Sequence, residues 1–312
     1  MSSHPSKPAS PWSLAHLLLL SKFIRARKVE PPSAGALSDG WKVALGESKH
    51  DAIRRFASAG LLIPCPLIEK LSHCVSAARM KEMLRERGLK LSGRKDEMAE
   101  RLCTADPRAI ESALASTELL KCTEMGRQLA GEFLEREQRM KRALTEYLQK
   151  GDCEAAVQEV CEFKDALGFP TTPWFPDRPR LDDVRNALSA KPRILASVSE
   201  GNLRQLRLAA AKAFLGLWSK WYLDDMETDL KMSNEVAVNM MISSIQNGRN
   251  LAYWRLGKVE RVKILGTSTD DSCAGCEVLR NRVWPIDEVP ELPHADCTSE
   301  CGCRCAYVAD LL

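Results

Sequence analysis

The stretch AARMKEMLRERGLKLSGRKDEMAERLC, residues 77–103, decides the fold of the first half of the chain. Met80, Met83 and Leu84 are apolar at the spacing of one helix face. This periodicity predicts an α-helix over residues 77–87, with its apolar side turned toward a core.

A turn and a second helix are predicted after this helix. Gly88 stands where a helix commonly ends in a left-handed residue. The sequence Leu-Ser-Gly at 91–93 predicts a turn, in which Ser92 caps a second helix over residues 94–103. The apolar residues predicted to pack back on the first helix are Leu89, Met98 and Leu102.

This pair of helices resembles a SAP motif. Residues 79–102 carry the family's sequence in its usual order: a helix, R-G-L at 87–89, S-G-x-K at 92–95 and R-L at 101–102. SAP motifs typically bind duplex DNA. The resemblance therefore implies a DNA-binding unit.

The charges of the same stretch agree with a polyanionic ligand. The whole chain is nearly neutral, with 45 Lys+Arg against 42 Asp+Glu, but residues 79–101 hold eight basic and five acidic side chains. The N-terminus of the second helix offers free N–H groups and a positive dipole end to a phosphate. Candidate DNA-binding residues are Arg79, Lys81, Arg87, Lys90, Gly93, Arg94 and Lys95. Such contacts give salt-sensitive affinity without reading base sequence; the alternatives are a solvated charged face or a peptide-binding role.

The sequence on either side of the SAP-like stretch resembles a winged-helix fold. Residues 51–62 resemble a helix entering a wing, and residues 119–127 resemble the strand and T-x-x-G sequence that follow one. The resemblance implies that the SAP-like unit is an insertion.

The cysteines form the second informative feature. Six of the twelve lie in the last forty residues, while the others are spread singly and are typical of small buried side chains. Cys273 and Cys276 make a C-x2-C knuckle that can bend at Gly275. A second group of cysteines begins about twenty residues later, at Cys297. This spacing is typical of tetrahedral zinc coordination.

The sequence therefore predicts a structural Zn²⁺ site with more soft ligands than the four it needs. The candidate ligands are Cys273, Cys276, Cys297, Cys303 and Cys305. Cys303 is favoured as the fourth, with Cys305 as its alternative, and Cys301 or His294 could also complete the site. Disulfides, or thiols without a metal, are the other interpretations.

The same region resembles the C-terminal part of phage Mu F-like minor head proteins. Residues 262–267 predict a strand, D-x-x-C-x-x-C follows at 270–276, and prolines, His294 and Cys-Arg-Cys at 303–305 complete the pattern. One departure is that residues 298–302 separate Cys297 from the Cys-Arg-Cys sequence. The resemblance implies a zinc-knuckle fold and, as an alternative function, phage head morphogenesis.

The predicted fold class is mainly α. A helical N-terminal region contains the SAP-like helix-turn-helix unit, and a helical C-terminal region ends in a small α+β zinc-binding module. The predicted divisions are a flexible tail with a short helix (1–40), a helical DNA-binding region (41–168), a Pro-rich linker (169–180), a helical region (181–258) and the zinc module (259–312). Further helices are predicted at 14–27, 51–60, 112–150, 153–167, 181–189, 199–231 and 234–256, with loop at 31–40. Trp218, Trp221 and Trp254 are predicted to pack in a core.

No sequence motif points to catalysis, so the chain is predicted not to be an enzyme. Asp152 with Glu162 and Lys164 loosely imitates a nuclease pattern, but on a helix; a nuclease-associated or defence effector is the third candidate function. No apolar run approaches the roughly 20 residues of a membrane span, and a cytoplasmic location is expected. The expected partners are double-stranded DNA, a protein docked on the C-terminal module, and a second copy of the chain.

Overall fold

The computed structural model describes residues 11–30, 36–170, 178–216, 221–224, 226–266, 273–280 and 282–310. Helices dominate in this part of the chain, with two small antiparallel sheets, which confirms the mainly α fold class. The chain divides into unit 1 (residues 1–139 and 164–170) and unit 2 (residues 140–163 and 171–312). The domain boundaries stay predictions; residues 1–10 and 31–35 of the predicted tail and residues 171–177 of the predicted linker lie outside the described residues.

Unit 1 begins with three helices and a three-stranded sheet. Its elements are α1 (Leu14–Ser21), β1 (Arg27–Lys28), α2 (Ala36–Leu45), α3 (Lys49–Ser58), β2 (Leu62–Pro64) and β3 (Leu119–Cys122). The antiparallel strands have the order β1-β3-β2, with Leu62 opposite Cys122. Strands β2 and β3 are therefore direct neighbours although the SAP-like stretch lies between them in sequence, as the winged-helix resemblance implied.

Local signals explain the ends of these elements. Ser48 caps α3 by accepting a hydrogen bond from the Asp51 N–H at 3.0 Å, and Gly60 leaves the helix with φ +69°. Gly126, the last residue of the T-x-x-G sequence, lies so close to the Leu61 carbonyl that any side chain would collide with it. The buried core around them includes Leu19, Leu20, Phe23, Phe56, Leu61 and Leu120.

A four-helix insertion separates β2 from β3. It consists of α4 (Leu67–Cys74), α5 (Ala77–Glu86), α6 (Lys95–Ala105) and α7 (Pro107–Ala113). The insertion has a buried core of its own, made by Leu71, Met80, Leu84, Met98, Leu102 and Ile110, and Leu89 packs against it as predicted. Burial of each such side chain contributes about 1.5–3 kcal/mol, so the insertion is stabilised by contacts among its own helices.

Several predicted boundaries are wrong. Arg94, not Ser92, precedes the first turn of α6, and the Ser92 carbonyl instead accepts a hydrogen bond from Arg101. The helix predicted over 112–150 does not begin at 112, because residues 119–122 form β3 and α8 (Glu124–Lys150) follows them. Helix α2 begins inside the predicted 31–40 loop. Helix α9 (Cys153–Leu167) matches its prediction.

Unit 2 combines helices with the second sheet. Its elements after α9 are α10 (Leu181–Ser189), α11 (Glu200–Phe214), α12 (Asn234–Leu256), β4 (Arg261–Leu265), α13 (Ala274–Glu277), β5 (Val283–Pro285) and β6 (Ala306–Ala309). The antiparallel order is β5-β4-β6. An ion pair between Asp183 and Arg249 joins α10 to α12.

The long helix predicted over 199–231 is wrong beyond Phe214, where α11 ends. Trp221 instead lies in a short 3₁₀ turn (Trp221–Leu223), where it is buried beside the Lys212 ammonium group. Trp254 packs against a buried cluster, as predicted for a core residue. Trp218 lies outside the described residues.

Candidate nucleic-acid interface and metal centre

The turn before α6 brings backbone N–H groups and cations to one end of a helix. Gly93 has φ +125°, a backbone conformation that residues with a side chain rarely adopt, so the turn favours glycine at this position. Arg101 donates hydrogen bonds to the carbonyls of Lys90 and Ser92 and thereby holds the turn against α6. The first-turn N–H groups of α6 have no acceptor within the helix.

The two carboxylates of the first turn already have partners. Glu97 accepts a hydrogen bond from the Arg94 N–H at 3.1 Å, and Asp96 accepts one from the Ser72 hydroxyl at 2.6 Å. Arg94 is 83% exposed, and its nearest carboxylate oxygen, on Asp96, lies 4.0 Å away. The positive side chain at this helix end is therefore available to a ligand.

The remaining predicted cations have different environments. Lys90 is exposed and Lys95 half-buried, and neither makes an ion pair with another described residue. Arg79 is paired with Glu82 at 2.9 Å, and the hydrogen bond from its guanidinium to Glu82 raises the pKa of Arg79. Arg87 is half-buried and donates to the Met83 carbonyl at 3.1 Å.

The position of Arg87 gives it a structural role. Its guanidinium lies 3.3 Å from the carboxylate of Asp106, which caps α7, so Arg87 joins the end of α5 to the start of α7. A DNA contact by Arg87 or Arg79 stays a prediction, and each would first have to exchange an existing partner.

Arg85 of α5 was missing from the predicted set of DNA-binding residues. Lys81 and Arg85 lie one helical turn apart, are exposed, and make no ion pair with another described residue. Their i, i+4 spacing places them on the same side of the helix. The sequence shows this spacing. It does not show that Arg79 pairs with Glu82, which leaves Lys81 and Arg85 as the cations of α5 available to a ligand.

Comparison with known proteins agrees with this part of the chain. A family model described as the SAP domain matches residues 76–107. The match includes the whole predicted stretch 77–103 and supports a nucleic-acid-binding unit there, hereafter the SAP unit. Comparisons with curated proteins and with solved structures give no match to the chain. The resemblance to Mu F-like proteins therefore stays a prediction.

The second candidate site is a buried cysteine cluster in unit 2. Helix α13 begins after Cys273, and the Cys276 N–H lies 3.4 Å from the Cys273 sulfur, as the tight C-x2-C knuckle requires. Gly275 approaches the Asp296 carbonyl, where a Cβ would lie 3.0 Å from the oxygen, so a small residue lets the segment bearing Cys297 come close. The sulfurs of Cys273 and Cys297 are 3.5 Å apart.

All five predicted ligands belong to this cluster. One group of three sulfurs comprises Cys273, Cys276 and Cys297, and a second comprises Cys276, Cys303 and Cys305; within each group the sulfurs lie within 4.8 Å of one another. Cys276 belongs to both groups. All five side chains are buried, and the cluster could hold a metal ion.

The two alternative ligands lie apart from these groups. Cys301 is exposed, and neither Cys301 nor His294 joins a three-ligand group among the described residues.

Hydrogen bonds within the cluster lower the pKa of some of its thiols and raise that of others. Hydrogen bonds with Cys276 lower the pKa of Cys297 and of Cys305 far below that of a free thiol, and the nearby Arg280 charge further lowers the pKa of Cys305. The hydrogen bond with Cys297 raises the pKa of Cys276, and the pKa of Cys303 is raised as well. Thiolate is the form of cysteine that binds a metal.

Helix α12 fixes the second cysteine group. The Asn247 carboxamide donates a hydrogen bond to the Cys305 carbonyl at 3.1 Å and accepts one from the Tyr307 N–H at 3.2 Å. This one buried side chain therefore binds the backbone on both sides of residue 306, where β6 begins. Tyr307 donates its hydroxyl to the Pro290 carbonyl at 2.6 Å, and burial raises the pKa of Tyr307 to about 12. No residue pattern in the sequence indicated the role of Asn247 or of Tyr307.

His16 is a buried residue with polar partners at both ring nitrogens. Its Nδ1 lies 2.7 Å from the Ser13 hydroxyl, and its Nε2 lies 2.7 Å from the Arg55 guanidinium and 3.1 Å from the Glu47 carboxylate. Arg55 and Glu47 also pair with each other at 2.6 Å. These contacts join α1 to α3.

No described helix has the length and apolar character needed to cross a membrane.

Proposed function

We propose that this protein binds duplex DNA through the SAP unit and carries a structural zinc ion in its C-terminal module. The observation that carries the proposal is the exposed Arg94 at the N-terminus of α6, within the region that matches the SAP domain. Lys90 and Lys95 add two cations without ion-pair partners among the described residues.

A phosphate group fits this helix end for two physical reasons. The first-turn N–H groups can donate to its oxygens, and the helix dipole favours a negative charge there. Asp96 and Glu97 place two carboxylates in the same turn, where they accept hydrogen bonds from the Ser72 hydroxyl and from the Arg94 N–H. The cations around the turn would have to outweigh these two negative charges. Lys81 and Arg85 offer a further pair of cations to the phosphate backbone of the same DNA duplex.

The zinc proposal rests on the donor set. Four thiolates form a closed tetrahedral site of the kind that stabilises small folds. Cys273, Cys276 and Cys297 would supply three ligands, and Cys303 or Cys305 the fourth. With every position filled by sulfur, the ion would hold the module together rather than activate a water molecule, and the ordered module would serve to dock a protein partner.

The salt dependence of DNA binding tests the proposed function. We expect the full chain to bind a 20-base-pair duplex, with log Kd against log salt concentration having a slope of about three to five, since few phosphates can reach such a small basic surface. Fluorescence polarisation of a labelled duplex at increasing NaCl concentrations gives this slope. Absence of binding at low salt contradicts the proposal.

A role in phage head morphogenesis is the second candidate. It is favoured by the clustering of the same cysteines that carry the resemblance to Mu F-like proteins. In that case the native protein would co-purify with portal or capsid protein, and nuclease treatment would not release it.

A further inference from the structure

A second basic segment lies in unit 1, outside the SAP unit. Residues 1–29 contain no acidic residue, and four of their cations fall within residues 22–28. Three of these four, Arg25, Arg27 and Lys28, are exposed, and their side chains make no ion pair or hydrogen bond with another described residue. These three positive charges are therefore available to a ligand.

The backbone that carries these cations is held against β3 at both ends. The Cys122 N–H donates a hydrogen bond to the Phe23 carbonyl at 2.8 Å, and the Val29 N–H donates one to the Glu118 carbonyl at 2.9 Å. The side chains of Phe23 and Val29 are buried in the core that includes Phe56. Because the backbone is already ordered, less conformational freedom is lost when the cations bind a ligand.

The segment lies where the chain returns from the four-helix insertion to the sheet. Lys28 is the register partner of Leu119, the first residue of β3, and Glu118 immediately precedes that strand. Strand β1 lies at the edge of the described sheet, so no strand of that sheet covers its outer side. A ligand can therefore reach this edge next to the insertion that contains the SAP unit.

The carboxylates found beside this segment lie near its end at Val29. The Glu30 carboxylate lies 3.6 Å from the Lys49 ammonium group, with which it pairs. Glu118 is exposed, and its carbonyl accepts the hydrogen bond from Val29. The three cations thus outnumber the carboxylates that lie next to them in the sheet, and an anionic ligand is favoured.

We propose that residues 25–28 bind the phosphate backbone of duplex DNA, as a second contact of unit 1 besides the SAP unit. A fully extended chain places Arg25 and Lys28 at most about 11 Å apart, and a duplex carries one negative charge per about 1.7 Å of its axis. Several phosphates therefore lie within reach of the three cations. The inference rests on the proposed function, because it names a further surface for the same ligand.

An anionic membrane surface is the other polyanion to consider. Proteins that bind such a surface through a helix insert an apolar face beside their cations. Helix α1, which precedes the segment, is rich in leucine, but its leucine side chains are buried in the protein core. The described segment thus offers charges without an apolar anchor, which favours nucleic acid over lipid.

A triple substitution in the full chain tests the segment by its salt dependence. We expect Arg25→Gln with Arg27→Gln and Lys28→Gln to weaken binding of a 20-base-pair duplex about 10- to 100-fold at 0.1 M salt. The salt slope should fall by about two to three, because up to three phosphate contacts are lost. Fluorescence polarisation measures both quantities, and a melting temperature equal to that of the wild type shows that the variant keeps its fold.

A control variant removes the same charges from unit 2. Arg142→Gln with Lys191→Gln and Arg204→Gln replaces two arginines and one lysine, all exposed and without an ion pair to a described residue. We expect this variant to change the affinity for the duplex less than threefold. Equal losses of affinity in the two triple variants would overturn the inference, because net charge alone would then explain them.

Acetylation of lysine side chains in the wild-type chain tests the contact without any substitution. We expect saturating duplex to slow the reaction of Lys28 with an N-hydroxysuccinimide ester at least fivefold, as measured by mass spectrometry of its peptides. The reaction of Lys191, which is exposed in unit 2, should change less than twofold. Vesicles of phosphatidylcholine with 30% phosphatidylserine should leave Lys28 as reactive as before.

The outcomes separate this inference from the proposed function of the SAP unit. Unchanged reactivity of Lys28 in a chain that binds the duplex overturns the inference, and so does protection by the vesicles but not by the duplex. If Arg94→Ala with Lys95→Ala leaves binding intact while the triple substitution at residues 25–28 weakens it, this segment is the contact and the SAP unit is not. A wild-type chain that does not bind the duplex overturns both.

Discussion

A chain carrying Cys276→Ser retains no zinc after purification without chelator, whereas the wild-type chain retains about one ion. This result is expected because Cys276 belongs to both three-sulfur groups, so its loss removes a ligand whichever group completes the site. Structural zinc contributes about 10–16 kcal/mol of apparent binding free energy in small zinc domains. The module at residues 259–312 should therefore lose its fold together with the metal.

Elemental analysis and limited proteolysis measure the two parts of this expectation. Cys301→Ser is the matched control: it makes the same chemical change in the same segment, but Cys301 is exposed and lies outside both groups. The control should keep its zinc and its resistance to protease. A Cys276→Ser chain that keeps wild-type zinc, or a metal-free wild-type chain whose module remains protease-resistant, refutes the site.

The double substitution Arg94→Ala with Lys95→Ala should weaken duplex binding roughly 10- to 100-fold at 0.1 M salt and lower the salt slope by about two. For each cation that is removed, binding releases about one condensed counterion fewer from the DNA. The fold should persist, since Arg94 is exposed and Lys95 makes no ion pair with a described residue. Fluorescence polarisation with a labelled duplex measures both affinity and slope.

A charge-matched control distinguishes a local contact from loss of net charge. Lys191→Ala with Arg193→Ala removes two positive charges from exposed positions in unit 2. We expect this pair to change affinity less than twofold. Equal losses in the two double variants would show that the N-terminus of α6 is not a specific phosphate contact.

The sequence predicted those parts of the fold that depend on local patterns. The α5–α6 pair could be predicted because its apolar spacing, Gly88 and the turn at residues 91–93 all act within a few residues of one another. Helices α9, α10 and α12 followed from periodicity in the same way. Ser48 and Gly60 marked the two ends of α3 correctly because capping is also local.

The errors arose where tertiary contacts decide the structure. Residues 119–122 could continue an amphipathic helical pattern, but pairing with β1 and β2 makes them a strand. Ser92 has the chemistry of a helix cap, yet the turn held by Arg101 shifts the start of α6 to Lys95. The winged-helix resemblance did imply a strand in residues 119–127, but the spacing of residues 112–150 does not show it. The Arg101 contact likewise cannot be recognised from the spacing of residues 91–103.

In the candidate sites, too, local sequence patterns could be predicted and tertiary contacts could not. The knuckle spacing of Cys273 and Cys276 and the cysteine density after residue 297 predicted a cluster, and all five cysteines meet. Two further features depend on side chains brought from other parts of the sequence: the contact of Arg87 with Asp106, and the hydrogen bond from Asn247 to the Cys305 carbonyl. No residue pattern could reveal them.

Hydrogen exchange of the full chain with and without a 20-base-pair duplex tests the central claim most directly. The first-turn N–H groups of α6 lack intrahelical acceptors and should exchange rapidly in the free protein. If a phosphate binds there, peptides covering residues 90–97 become strongly protected when the duplex is added. Protection confined to other parts of the chain, with residues 90–97 exchanging as fast as before, would contradict DNA binding by the SAP unit.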